Sequence, residues 1–298
     1  MKKVLFAFVA MALLFSACEK EGVFSPKQKI SKIYMGEDKK ILYDYVWNGK
    51  LLDHETIYNY DLLFDTKTTL TPVYDGKRVV CVNESDGTYA LYTYDHRWLT
   101  GITWKLADGT TFSEGNVEHE NNKISKIFTS GSSIENAEKA NIKLAQRILP
   151  KEVSEKFVTA YKKMSSAKLW MDVIYTFEWQ GDNVSKLTCD LIDPGDKNVF
   201  LTFVCEYEYD NKLNPTCCAW SELSNQNTMM NTMPVGLDMN FSKNNFTKVT
   251  CTTNAGSMGT DVTVSTYEYE YDGKYPVKRT CTSTNSIDAV DILYYEYE

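Results

Sequence analysis

The sequence is poor in the groups and motifs on which most enzyme chemistry is built. It has three histidines in 298 residues, His54, His96 and His119, and they fall apart from one another among strand ends and turns. No GxSxG elbow, HExxH helix, Walker loop, dinucleotide GxGxxG or paired CxxC motif occurs. The readable signals for nucleophile-elbow hydrolases, zinc peptidases, P-loop NTPases and nucleotide-dependent oxidoreductases are therefore missing, and no catalytic residue, metal ligand or cofactor is assigned. Asn83 to Gly87 and Asp193 to Asp196 read as turns, not calcium loops. Basic residues are outnumbered, 32 against 40 acidic, for a formal charge of −8, which argues against nucleic acid as a partner. There are only seven prolines, and no Pro- or Gly-rich stretch divides the chain into domains.

Long apolar runs are also scarce, and the one at the start is short. Residues 1–17 have a basic opening in Lys2 and Lys3, an apolar stretch from Val4 to Phe15, and the small pair Ser16-Ala17. This is the build of a secretory signal, and it falls short of the roughly 20 residues that span a bilayer as a helix. Cys18 directly follows the small pair. The segment resembles a bacterial lipobox, with Phe15 where leucine is commoner, and the resemblance implies cleavage before Cys18 and acylation of that residue. Since one acyl chain holds a protein only marginally, the several chains of such a lipoprotein make a firm anchor. Removal of residues 1–17 deletes two lysines and no acid, moving the formal charge to −10. Residues 18–28 then read as the lipidated cysteine and a polar tether, and residues 29–298 as one domain.

What the chain has in plenty is tyrosine, 20 residues, set in a recurring pattern. In Tyr267-Glu268-Tyr269-Glu270-Tyr271 rings and carboxylates alternate with the period of two that gives a strand one buried and one wet face. Asp272-Gly273 then supplies a tight turn of the type I′ kind, and Val277 to Thr282 returns as a second strand. Seven further stretches repeat this grammar, beginning at Tyr43, Pro72, Leu91, Val117, Tyr175, Cys205 and Leu237, and a final strand ILYYEYE closes the chain. The pentapeptide KISKI occurs at Lys29 and again at Lys123. The pattern is that of an internal repeat of β-hairpins.

One interval departs from it. From Ser133 to Ala167 apolar residues recur at helical spacing, first at Ala137, Leu144, Ala145 and Ile148, then after Pro150 at Val153, Phe157, Ala160, Tyr161 and Met164. The expected fold is mainly β: an extended, curved antiparallel sheet of repeated hairpins in meander order, with an inserted helical hairpin at 133–167 covering its aromatic face. A closed β-barrel, which would remove both sheet edges, is the alternative. Tyr207, Tyr269 and Phe177 are expected inside, and Glu208, Glu268 and Glu270 outside.

Eight cysteines, less Cys18, leave an odd number. Cys189, Cys217, Cys251 and Cys281 recur at similar places in their hairpins, and equivalent strands of successive hairpins lie about 9.5 Å apart, beyond disulfide reach. They are expected as buried thiols. Cys205 would face Thr216 or Cys218 across its own hairpin, depending on the turn register. Neighbouring Cys217 and Cys218 point to opposite faces and make no metal site alone. Among the aromatics, Trp98 beside a turn and Trp170 out of phase with its strand are the candidate ligand-binding platforms.

The repeated strand-turn-strand units, the opening KISKI and the ending YEYEYDGKYPVKRTCT followed by YYEYE resemble lipoproteins of gut Bacteroidota built from a YD-repeat-like β domain. The resemblance implies an outer-membrane location, at the cell surface or the periplasmic face, and brings no catalytic residue with it. The functional expectation is a non-enzymatic binding or scaffold module held to the membrane by its lipid anchor, with a glycan or another envelope protein as partner. The alternative is a secreted hydrolase of glycosidase type whose carboxylates meet only in the fold.

Overall fold

Among the described residues, sixteen antiparallel strands follow one another around a closed barrel, each bonded to its sequence neighbours and the last to the first. The computed structural model describes residues 21–60, 65–131, 145, 156–162, 172–193, 195, 197–217, 241–254, 260–284 and 290–298. The strands are β1 Ile30–Met35, β2 Lys40–Asn48, β3 Leu51–Tyr60, β4 Asp65–Asp75, β5 Arg78–Glu84, β6 Tyr89–Asp95, β7 Trp98–Lys105 and β8 Thr111–Glu120. The second half comprises β9 Lys123–Gly131, β10 Asp172–Gln180, β11 Asn183–Ile192, β12 Val199–Leu213, β13 Asn244–Asn254, β14 Thr260–Asp272, β15 Tyr275–Ser283 and β16 Val290–Tyr297.

The open sheet expected from the repeat is overturned by the pairing of β1 with β16, which sets Ile33 opposite Tyr295 and Tyr34 opposite Tyr294. Unclosed, these two strands would present rows of unpaired backbone groups to any passing chain. The bend that closure requires comes from a device that alternation does not reveal. Every tight hairpin carries one extra residue on its second strand, at Asp53, Val80, Thr100, Ser125, Ser185 and Val277. The β12–β13 and β1–β16 pairs carry theirs at Thr247 and Ser31. Such bulges raise local twist and bend, and a regular series of them curls a sheet into a barrel.

Two turn assignments also change. The loop between β14 and β15 is Gly273-Lys274, flanked by the pair Asp272 and Tyr275, and of these two loop residues only Gly273 has positive φ. The stretch from Cys205 does not fold back on itself. Strand β12 continues to Leu213 and pairs with β13 only after the connection 214–243. Cys205 accordingly stands opposite Cys251, not opposite Thr216 or Cys218, and Cys217 lies in a turn outside the strands.

Inward-facing side chains form one core. Tyr43, Tyr45, Trp104, Tyr175, Leu187, Phe203 and Tyr207 belong to a single buried cluster with Phe177, and Glu208, Glu268 and Glu270 are exposed as expected. Tyr269 is only half-buried. A 16-strand barrel drawn as a circle would leave an aqueous channel. Here Trp104, Tyr175 and Phe203 are at most 1% exposed, so the lumen is filled. Part of the filling is the helical stretch 156–162, where Phe157 lies 5.8 Å from the Phe203 ring and 5.6 Å from that of Tyr161. Lys156 fastens it to the β14 end through Asp261 and, at 2.9 Å, the Thr263 hydroxyl. Of the expected helical hairpin, Ala145 and 156–162 are described; the rest of 133–167 lies outside the described residues.

The outer face is mixed, with Val46, Val73, Val199, Phe200 and Val262 exposed among polar side chains. Across β10 to β15 its positions include Thr176, Thr188, Glu206, Thr250, Thr252 and Thr282. Cross-strand ion pairs recur on it, Glu178 with Lys186 at 2.8 Å, Glu208 with Lys248 at 2.7 Å and Glu270 with Lys278 at 3.0 Å.

Candidate functional site: the tight-turn end of the barrel

The barrel has two unlike ends. At one, two-residue loops join β2 to β3, β4 to β5, β6 to β7, β8 to β9, β10 to β11 and β14 to β15. The ends of the connection 214–243 also lie here, with Leu213 N–H bonded to Lys274 O at 3.0 Å and Lys243 N–H to Asp182 O at 3.2 Å, whereas 132–171 joins β9 to β10 at the other end. A bulge near each tight turn leaves a carbonyl turned from its ladder, and a buried carbonyl needs a donor. The repeat supplies one from the aromatic ring of the adjoining strand. Trp47 Nε1 donates to Ile30 O at 2.8 Å and Trp179 Nε1 to Ile124 O at 2.6 Å. The hydroxyls of Tyr74, Tyr94, Tyr209, Tyr269 and Tyr297 donate to the carbonyls of Leu52, Val79, Val184, Phe246 and Pro276. Each acceptor is the residue just before an extra one. Burial pushes the Tyr94 and Tyr209 phenols well above the ordinary range.

The eighth unit breaks the rule. His119 occupies the ring position, and its Nε2 lies 3.0 Å from both carboxylate oxygens of Glu21. The same carboxylate accepts from the Leu99 N–H at 2.6 Å, at the strand position where the other units place the acceptor carbonyl. Backbone bonds extend the dock: Glu21 N–H to Arg97 O at 3.3 Å, and Val79 N–H to Gly22 O at 2.9 Å. Gly22, at φ 78°, presses so closely on Tyr94 that a Cβ there would stand 2.7 Å from the ring carbon Cζ, so any side chain there would have to displace the Tyr94 ring and take up a strained backbone. Phe24 is buried with its ring 5.4 Å from Trp47. The segment expected as a free spacer is, from Glu21 onward, a strap across the tight-turn end.

The sequence candidates are distributed as follows. Trp98 is half-buried at the strap; Arg97 covers its ring at 4.2 Å and His119 lies 5.2 Å away, so it is not an open platform. Trp170 and Cys18 lie outside the described residues. His54 pairs with Asp53 at 2.8 Å, and His96 is an exposed turn residue at φ 51°. In the two stretches read as turns, Asp86 and Asp193 accept backbone N–H groups two residues on, from Thr88 and Gly195. Among the described residues no three His, Cys, Asp or Glu side chains gather in metal-binding geometry.

Inward charges were missed by the sequence reading. Glu55 and Glu84 flank Leu70 in one transverse row, Glu55 opposite Leu70 and Leu70 opposite Glu84, with Glu55 fully buried and Glu84 at 6% exposure. Two strand spacings separate them by about 9.5 Å. That is the upper end of an inverting glycosidase pair, but these carboxylates are sunk in the core where no substrate reaches. Arg279 is likewise internal, 5.3 Å from the Tyr267 ring. The signal that finds all three is the bulge, which shifts the second strand of each hairpin by one face.

No protein-family model matches the chain, and no curated protein does. Among solved structures it is similar to the crystal structure of a porin-like protein from Bacteroides uniformis, with TM-score 0.52 and 11% identity over 94% of this chain and 100% of that one. A second porin-like protein, from Bacteroides vulgatus, aligns over 91% of this chain and 99% of its own at TM-score 0.33 and 11% identity. At this identity the first likeness is one of fold: the chain shares an antiparallel β architecture with a porin-like protein of Bacteroides.

Proposed function

We propose that the protein is an envelope-anchored, non-enzymatic binding or scaffold module, held to the outer membrane by acylation of Cys18 and working through its outer surface. The observation that carries this reading is the distribution of polarity: aromatics pack the inner face, while the outer face carries Thr, Lys and Glu, with cross-strand ion pairs, among scattered apolar side chains such as Val73 and Val262. A membrane-spanning barrel needs the reverse, an apolar outer band around a polar interior, and a lysine or arginine at the bilayer midplane costs it about 2–4 kcal/mol. Glu206 stands in the middle of β12, exposed. The signal segment, the lipobox-like Ser16-Ala17-Cys18 and the fold shared with a Bacteroides porin-like protein support an envelope setting. The surface is broad and built of repeated units, which suits an extended partner such as a glycan or a neighbouring envelope protein.

A channel is the second reading, favoured by closure of sixteen strands. Purified protein offered to a planar lipid bilayer decides between them. The expected result is no unit conductance, membrane sedimentation of the wild type and release of the Cys18→Ser variant. Discrete conductance steps would establish a pore. Screening against polysaccharides is expected to show retention without turnover, and turnover abolished by one Asp or Glu change would establish a hydrolase.

A further inference from the structure

We propose that the tight-turn end of the barrel is its lipid-facing surface, so that the protein stands on the membrane with the 132–171 connection pointing away. This rests on the anchor at Cys18 proposed above. The argument is one of reach. Glu21 is fixed to the barrel by its carboxylate bonds to His119 and Leu99 and its backbone bond to Arg97. Three Cα steps separate it from Cys18, which span at most about 11 Å at about 3.6 Å per residue. A strand such as β3, ten residues long, measures about 33 Å at about 3.3 Å per residue. Acyl chains on Cys18 therefore cannot lie near the far end. They bring the tips at Lys50, Lys77, Arg97 and Lys274, together with Lys243 paired to Asp182 at 2.9 Å, to the headgroups. The exposed Lys77 and Lys274 each follow an exposed acid, Asp75 and Asp272, two positions earlier, a zwitterionic face suited to phospholipid headgroups. The outer wall of the barrel and its opposite end are left for partners.

The test uses the acylated full-length protein, taken from membranes into phosphatidylethanolamine–phosphatidylglycerol vesicles carrying a headgroup nitroxide. A fluorescent amino acid replaces Lys274 at one end or Asp108 at the other. The expected result is quenching several-fold stronger at position 274 than at 108. Equal quenching, or stronger quenching at 108, in vesicles that carry the protein would overturn the orientation while leaving the anchor intact. Absence of lipid mass on Cys18, with protein left unbound to vesicles, overturns the anchor reading and this one with it.

An independent observation carries a second inference. Cys205 on β12 and Cys251 on β13 are register partners, both buried, with their sulfurs 2.7 Å apart. We infer that this pair is oxidised to a disulfide when the protein folds in an oxidising envelope compartment. The two thiols give up two protons and two electrons to the disulfide of a dithiol oxidase, which leaves as a dithiol, and one S–S bond forms across the strands. Directly opposed antiparallel residues have Cα atoms about 4.5–5.5 Å apart, within disulfide range. The bond would tie residues 46 positions apart, on either side of the connection 214–243. Burial of both sulfurs requires that oxidation precede closure of the barrel.

Denaturing alkylation without reductant, followed by mass spectrometry of envelope-derived protein, reads this directly. Cys205 and Cys251 peptides are expected joined, with Cys189 and Cys281 alkylated. In the Cys251→Ala variant Cys205 is expected to become alkylated. Alkylation of both residues in the wild type, or a blocked Cys205 in the variant, would overturn the pairing.

Discussion

Glu21 and His119 lie 98 positions apart in the chain and 3.0 Å apart in space. Both are largely buried, with side chains 15% exposed, and the Leu99 N–H shares the carboxylate. Removing the acceptor strands two donors, and leaving a buried donor unsatisfied costs about 1–3 kcal/mol. Glu21→Ala is therefore expected to lower the melting temperature by several degrees, whereas Glu21→Gln, which keeps an acceptor oxygen, loses less. Thermal unfolding of the three proteins checks the order, and identical curves would mean that the strap contributes nothing to the fold.

Gly115 on β8 makes room for the indole of Trp104 on β7. A methyl group at Gly115 would stand 3.2 Å from Cζ3 and 3.3 Å from Cη2 of that ring, and 3.5 Å from Cγ2 of Thr129. Trp104 is 1% exposed and hemmed in, so it cannot swing aside into water. Gly115→Ala is expected to destabilise by about 1–3 kcal/mol, the usual cost of overpacking, although alanine is the smallest possible change. Urea unfolding measures it. Trp104→Ala, which empties the same site, is expected to cost about 3–5 kcal/mol.

Much of this fold was legible because alternation is a local property. Tyr207 with Glu208 and Tyr267 with Glu268 announce their faces in sequence, and Asp75-Gly76 or Asp272-Gly273 places a turn to within one residue. Closure was not legible, because it depends on one extra residue per hairpin that resembles its neighbours: Ser125 and Ser185 look like ordinary wet-face positions until the register is seen. The same shift hid Glu55 and Arg279 inside the barrel. Cys205 was misassigned for a different reason. Asp210-Asn211 has turn chemistry, yet β12 runs through it to Leu213, and Asp210 Oδ1 accepts the Lys212 N–H while its other oxygen receives the Tyr271 hydroxyl. The strap at Glu21 had no sequence signal beyond the odd histidine in a series of Tyr and Trp.

The tyrosines predict a specific alkaline transition. Burial raises the Tyr74 phenol from 10.0 to about 12, against an opposing effect of its bond to the Leu52 carbonyl. The hydrogen bond to Glu296, then burial, raises Tyr34 to about 12 as well. A phenol whose folded value exceeds its unfolded one favours the folded state below pH 10, and that contribution is lost as pH rises from 10 to about 12. Phenolate absorbance is thus expected to rise in two phases, the later one accompanied by loss of barrel circular dichroism. A single phase near the ordinary tyrosine value would show that Tyr74 is not buried and that Tyr34 does not hold its bond to Glu296.

Thr250 gives the sharpest test of which side of the barrel faces water. It lies mid-strand on β13, outward, with Glu206 opposite on β12 and Val264 opposite on β14. In a barrel that spans a membrane this is lipid-facing ground, where an introduced lysine costs about 2–4 kcal/mol near the midplane. In water the same lysine meets Glu206 across the strands, as Lys248 meets Glu208 at 2.7 Å, and surface changes of this kind stay within about 0.5 kcal/mol. Thr250→Lys is therefore expected to leave urea unfolding and membrane sedimentation through Cys18 unchanged. A loss of several kcal/mol, or failure to assemble in the envelope, would place lipid against β13 and turn the reading toward a pore.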